Sequence, residues 1–105
     1  LSKQPAIYIL ASQRNGTIYI GVTSNLPQRI YQHQHGLIEG FSKKYNTNIL
    51  VYFELYEDML TAISREQSLK SITRNKKIAL IESINPQWDD LAIKIRNSHT
   101  LITMA

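Results

Sequence analysis

The dipeptide Asn15-Gly16 stands between two short runs rich in β-branched and aromatic residues, AIYILAS over 6–12 and TIYIGVT over 17–23. Asn-Gly between such runs is the strongest short-range signal for a β-hairpin. A two-residue turn there pairs Arg14 with Thr17, Ser12 with Tyr19 and Leu10 with Gly21. Strand side chains alternate between faces, so Ile7, Ile9, Ala11, Ile18, Ile20 and Val22 share one face. Tyr8, Leu10, Ser12, Tyr19, Gly21 and Thr23 share the other. The first is a plain core face. The second sets Tyr8 and Tyr19 beside a glycine.

The rest of the chain alternates helix and strand signals. Asn25 is an N-cap with Gln28 three residues on, and Pro27 suits a first turn. The helix runs to about His35, where Gly36 stops it. Leu26, Ile30 and His33 lie along one side, and Arg29 stands one turn before His33. Residues 36–48 form a basic, polar connection with room for one helical turn, and ILVYFELY over 49–56 reads as a central strand. Asp58 caps a helix over about 59–72 with an apolar side of Met59, Ile63, Glu66 and Leu69–Lys70. Thr73 or Asn75 opens a further helix to about Ile84, with Ile78, Leu80, Ile81 and Ile84 apolar and Pro86 ending it. The turn NPQWDD, 85–90, is expected to dock Trp88 on the body. The order is ββαβαα, an α+β domain with a small mixed sheet carrying helices. A length of 105 residues suits a single domain over 1–105, with a core of about 5–91 and a weakly patterned, partly frayed tail over 92–105.

Composition removes several function classes. The absence of cysteine excludes a disulfide scaffold, an iron–sulfur site, a thiolate zinc site and a cysteine nucleophile. No run approaches the length of a membrane span. The start LSKQPAIYIL lacks a signal-peptide layout, so a soluble cytoplasmic protein is expected. The formal charge of +4 is uneven. Residues 1–53 set Lys3, Arg14, Arg29, Lys43 and Lys44 against Glu39, and residues 62–81 set Arg65, Lys70, Arg74, Lys76 and Lys77 against Glu66. Such patches attract phosphate backbones; ordinary solvation of exposed helices is the plainer account.

Glu66 is the most informative single residue. It stands on a helix side where a core leucine belongs, and a carboxylate rarely faces inward without a partner. Either it forms a structural pair with Arg65, Lys70 or Arg29, or it is simply exposed at the edge of the apolar stripe, or it is a metal or cation ligand in a cleft. Arg29 is either a surface arginine or a guanidinium fixed for bidentate phosphate binding. Tyr8 and Tyr19 are packing residues or a polar pair on one strand face. His33 and His35 face different ways on a helix and make no metal pair. No P-loop, GxGxxG, HExxH or Ser–His–Asp arrangement is present.

Together these residues carry a resemblance. Ala6-Ile7-Tyr8, then Tyr19-Ile20-Gly21, Arg29 and His33 in the next helix, and Arg65-Glu66 after the third strand resemble the GIY-YIG nuclease superfamily. The stretch KKIALIESINPQWDDL, from Lys76 to Leu91, resembles its small single-domain branch, which is similar to the N-terminal excinuclease-C nuclease domain. The likeness covers roughly residues 5–91 and implies a three-stranded antiparallel sheet flanked by helices. Ala6 stands where the family name has glycine, a difference of one methyl.

The resemblance implies hydrolysis of a DNA phosphodiester with one Mg²⁺ or Mn²⁺ ion, in repair or processing. By position Glu66 matches the metal-binding glutamate, Arg29 the phosphate-binding arginine and Gly21 the motif glycine. Tyr8 would take the proton from the attacking water, its pKa lowered by nearby cations, while Tyr19 and His33 orient the water and Tyr8. Asn85 stands nearest the family's late asparagine. Lys43, Lys44, Arg74, Lys76 and Lys77 are candidates for DNA-backbone contacts. The alternatives are a nucleic-acid-binding module with weak or lost catalysis, and a nuclease-like domain whose protein partner supplies specificity.

Overall fold

The structure, a computed structural model, describes residues 3–95. Strands β1 (Ala6–Ala11), β2 (Ile18–Thr23) and β3 (Ile49–Leu55) form one sheet in the order β2-β1-β3. Helices α1 (Leu26–Gln34), the single-turn α2 (Phe41–Lys44), α3 (Met59–Ser71) and α4 (Arg74–Ile84) flank it. This is the expected α+β architecture, with the three-stranded antiparallel sheet that the resemblance implies in place of the mixed sheet suggested by element order alone. The helical turn allowed for in the 36–48 connection is α2.

Two expectations are corrected. The central strand is β1, with β3 at an edge. Every residue of β1 is buried, because it is paired on both sides and covered on both faces. β3 is nearly as apolar because helices lie over both of its faces too, which says nothing about its place in the sheet. The hairpin register also differs by two residues. Leu10 pairs with Tyr19 and Tyr8 with Gly21, and Ser12 with Thr17 closes the loop. Residues 13–16 make a four-residue loop in which Gly16 N–H donates to the Gln13 carbonyl and Asn15 takes the left-handed conformation at φ 60°. A shift of two leaves every side chain on its expected face.

The two faces build two cores. Ile7, Ile9, Ala11 and Ile20 pack with Ala62 and Leu69 of α3, Ile81 of α4 and Trp88. Tyr8, Leu10 and Leu50 pack with Leu26 and Ile30 of α1, and with Ala92 and Ile95 from the helical segment beyond 91. The buried line of α3 is therefore Ala62 to Leu69, with Glu66 half-buried between them. Ile84, expected on the apolar side of α4, is exposed. The part of the expected tail over 96–105 lies outside the described residues.

Local chemistry fixes the helix ends. The Asn25 side chain accepts from Gln28 N–H, Asp58 from Thr61 N–H and Thr73 from Lys76 N–H. At the end of α1, Gly36 N–H donates to the His33 carbonyl and Leu37 N–H to the Gln32 carbonyl, with Gly36 at φ 65°. This double closure on a left-handed glycine holds α1 to its length.

The outer edge of β3 is closed by residues 85–91. Ile9 pairs with Tyr52 but Leu10 with Leu50, so Val51 is an extra residue that bulges out of the ladder. Asn85 Nδ2 donates to the Val51 carbonyl at 3.0 Å and to the Asp89 carbonyl at 2.9 Å, and Asn85 Oδ1 accepts from Asp89 N–H at 3.0 Å. Leu91 N–H donates to the Leu50 carbonyl at 2.8 Å. Trp88 docks as expected, 4% exposed, with its indole N–H on Glu82. Asn85→Ala leaves the buried Val51 carbonyl without a donor and frees the turn. We expect a loss of about 3 kcal/mol in urea unfolding; a loss below about 0.5 kcal/mol would mean that the bonds of Asp90 and Leu91 to Leu50 secure the edge without it.

Candidate active site

Tyr8 occupies the middle of the central strand, with Gly21 opposite it on β2 and Phe53 opposite it on β3. Its ring lies over Gly21. A Cβ at position 21 would stand 2.4 Å from both Cζ and the hydroxyl oxygen of Tyr8. Glycine is required there by the tyrosine, since the backbone φ at Gly21 is ordinary.

From this position Tyr8 meets His33, the inward-facing histidine of α1. The hydroxyl and His33 Nε2 are 3.0 Å apart. On the far side of the ring, His33 Nδ1 lies 2.9 Å from Ser42 Oγ in α2. Ser42 donates its hydroxyl proton to the Thr47 carbonyl at 2.9 Å, so toward His33 its oxygen can only accept. The hydrogen bonds thus assign the proton to Nδ1 and leave Nε2 as acceptor for the Tyr8 hydroxyl. Burial holds the His33 pKa down at about 4, and Arg29 adds to the effect. His33 is a neutral acceptor at ordinary pH.

Tyr19 completes the group, its ring centroid 6.3 Å from Tyr8 and 5.5 Å from His33. Burial pushes the Tyr8 hydroxyl well above its ordinary value, and Tyr19 adds to the rise. Arg29 pulls it down and Glu66 pushes it up. With Arg29 as the opposing cation desolvation wins, so the lowered Tyr8 pKa expected from the sequence depends on the metal ion as well as on Arg29. That both Arg29 and Glu66 act on Tyr8 puts them within electrostatic reach of one hydroxyl, although Tyr8 faces α1 and Glu66 sits on α3.

Glu66 resolves the choice among its expected partners. Its Oε2 accepts from Lys70 Nζ at 2.7 Å. Arg65 is engaged elsewhere, in a fork on Glu54 with bonds of 2.9 and 3.0 Å. The Glu54 carboxylate also accepts from Tyr52 and Tyr56. Burial works to raise the Glu54 pKa, but these donors outweigh it and hold the group at about 2. This satisfied network pins α3 to β3.

The basic candidates divide. Arg74 Nη2 donates to the Asn15 and Gly16 carbonyls at 2.7 Å each, clamping the hairpin loop. Lys43 pairs with Glu39 at 2.6 Å. Lys44 lies over the Tyr45 ring, and Lys76 is exposed. Lys77 lines an open cleft of about 300 Å³ together with Tyr19, Phe41 and Lys70. Asn85 has its amide committed to the backbone of Val51 and Asp89. His35 stacks on Tyr31, and His99 lies outside the described residues.

Sequence reasoning missed Ser42 and Thr47. Their one signal was indirect: a buried imidazole needs a partner on its second nitrogen, and the polar 36–48 connection had to provide it.

Among the described residues no three His, Asp or Glu side chains converge as a metal cage. A lone half-buried carboxylate such as Glu66 fits a Mg²⁺ or Mn²⁺ ion that keeps most of its water.

The GIY-YIG catalytic-domain profile matches residues 4–79. The chain belongs to the GIY-YIG family. Within it, this GIY-YIG domain is 39% identical over 77 residues to a UPF0213 protein of Clostridium perfringens, covering 73% of this chain and 82% of that one. It is 33% identical over 76 residues to a UPF0213 protein of Staphylococcus aureus, covering 72% of this chain and 92% of that one. The solution structure of the UPF0213 protein BH0048 from Bacillus halodurans shares the fold, with a TM-score of 0.53 at 23% identity over 83% of this chain and 92% of that one.

Two predictions come from this geometry. Gly21→Ala should displace the Tyr8 ring and break its bond to His33 at a cost of about 1–3 kcal/mol. The Tyr8 ring and His33 NMR shifts report it; an unmoved His33 shift would mean that the strands give way instead. The second concerns pH. The unfolded chain protonates His33 as pH falls through about 6.5, the folded chain only near 4. Between these values the unfolded state binds more protons, so stability falls as pH falls. Glu54 contributes a loss of the same sign only below about 4.5. The thermal midpoint should therefore drop from pH 6.5 to 4.5 in the wild type and much less in His33→Gln.

Proposed function

We propose that this GIY-YIG domain binds a DNA phosphodiester beside the Tyr8 hydroxyl, within electrostatic reach of Arg29 and Glu66, and hydrolyses it with one divalent cation. It would do so in the manner of the small single-domain branch similar to the excinuclease-C nuclease domain. The observation that carries this reading is the hydrogen-bonded line from Tyr8 through His33 to Ser42.

The chemistry follows from that line. Arg29 binds a non-bridging phosphate oxygen and the charge that builds on it. Water attacks phosphorus, and the bond to the leaving oxygen breaks; that oxygen keeps the bonding electrons and takes a proton from solvent. The water proton passes to the Tyr8 oxygen as the Tyr8 proton passes to His33 Nε2. His33 keeps its Nδ1 proton on Ser42 throughout. At rest the raised Tyr8 and lowered His33 values both hold the proton on Tyr8, so the pair is neutral. A phosphate anion beside His33 favours its protonated form and opens the transfer. Glu66 would hold a Mg²⁺ or Mn²⁺ ion, whose positive charge would offset the negative charge that builds in the transition state. A phosphate in the cleft also competes with Glu66 for Lys70, releasing the carboxylate.

A second reading is favoured by a specific observation. Tyr8 is 1% exposed, and Glu66 is engaged by Lys70. Both suit a DNA-binding module with weak or lost turnover, or one that a protein partner must open.

Two variants, measured beside the wild type, separate the two. Glu66→Ala should cut Mg²⁺-stimulated cleavage about 100-fold or more. DNA affinity should be unchanged or slightly higher, because a carboxylate repels phosphate. The thermal midpoint should move little, since Lys70, 55% exposed, returns to water when the 14% exposed carboxylate is removed. Arg29→Ala should lose turnover and affinity together. DNA binding by a folded wild type that cleaves no linear, nicked, flapped or single-stranded substrate with either cation would establish the second reading.

A further inference from the structure

An aromatic ladder leads away from the site. The Tyr19 ring stacks with Phe41 at 6.0 Å between centroids and 27° between planes. Phe41 in turn meets Tyr45 at 4.6 Å. Phe41 is 46% exposed and Tyr45 45%. A one-turn helix with two aromatics would ordinarily bury them. Here α2 buries Ser42, committed to His33, and thereby turns Phe41 and Tyr45 outward one turn apart. The positive charges stand around this surface. Lys44 Nζ is 5.4 Å from the Tyr45 ring centroid, while Lys70 and Lys77 line the cleft beneath Phe41.

We infer that Phe41 and Tyr45 form a stacking platform for unpaired nucleobases of the DNA strand whose phosphate lies at Arg29. The inference rests on the DNA reading above and adds a substrate class to it. Exposed rings flanked by cations are what a single strand requires: its bases offer flat π-faces, and its phosphates need neutralising between them. A paired duplex keeps its base faces stacked internally and offers them to no outside ring. A protein partner is the weaker candidate, because lysine is depleted in protein–protein interface cores. The ladder begins at Tyr19, so a base on Phe41 sits next to the phosphate that Tyr8 and Arg29 address.

The test uses three fluorescent oligomers of equal length: oligothymidylate, an abasic strand with the same phosphates and no bases, and a duplex. Affinities are measured by anisotropy with EDTA present to prevent cleavage. The wild type should bind oligothymidylate about tenfold more tightly than the abasic strand. Phe41→Ala and Tyr45→Ala should each shrink that preference severalfold and leave abasic binding unchanged, and Phe41→Trp should keep it. The two alanine variants are independent, so one that fails to fold leaves the other to decide, with the thermal midpoint as the check. Equal wild-type affinity for the two strands overturns the platform and leaves the aromatic face to a protein partner. Equal loss of both strands in the variants also overturns it. Binding to none of the three oligomers overturns the DNA reading itself.

Discussion

β1 is hydrogen-bonded on both sides and covered on both faces, and the other elements take their positions from it. Its odd residues collect α3 and α4, and its even residues collect α1 and the segment beyond residue 91. Tyr8 sits in the middle of the even set. A residue there cannot move without disturbing two strands and a helix, which is why a polar hydroxyl can be held in one place inside an apolar strand. Placement of this kind is what general acid–base chemistry needs.

The close approach of Tyr8 to Gly21 turns strand alternation into a site. Because position 21 has no side chain, the ring crosses β2 and reaches His33, Tyr19 and the electrostatic range of Glu66. Groups from the sheet, α1, α2 and α3 then act on one hydroxyl. The resting site is neutral, with the proton on Tyr8 and the imidazole uncharged.

Much of this is legible in the sequence. The faces of the hairpin, the helix caps at Asn25, Asp58 and Thr73, the docking of Trp88 and the odd placement of Glu66 all follow from local pattern. The register does not, because the loop is settled by Ser12, whose hydroxyl accepts from Thr17 N–H, and by Arg74, which reaches the loop from α4. The place of β3 at the edge does not either, because Asn85, Asp90 and Leu91 satisfy that edge from beyond α4. The strength of burial on Tyr8 escapes the motif because burial cannot be read from it. Ser42 stays hidden because its role exists only through the second nitrogen of His33.

The clamp of Arg74 on the hairpin loop bears on how the chain finds its native pairing. A hairpin slipped by two residues buries the same side chains on the same faces, so hydrophobic burial cannot choose between the two alignments. Asn-Gly locally favours the tight alternative. The observed alignment gains its distant support, across 58 and 59 positions of chain, only when α4 docks. The last helix of the GIY-YIG core thus acts as a proofreader for its first two strands. Only in the alignment it selects does Gly21 stand opposite Tyr8, so assembly of the site is tied to completion of the fold.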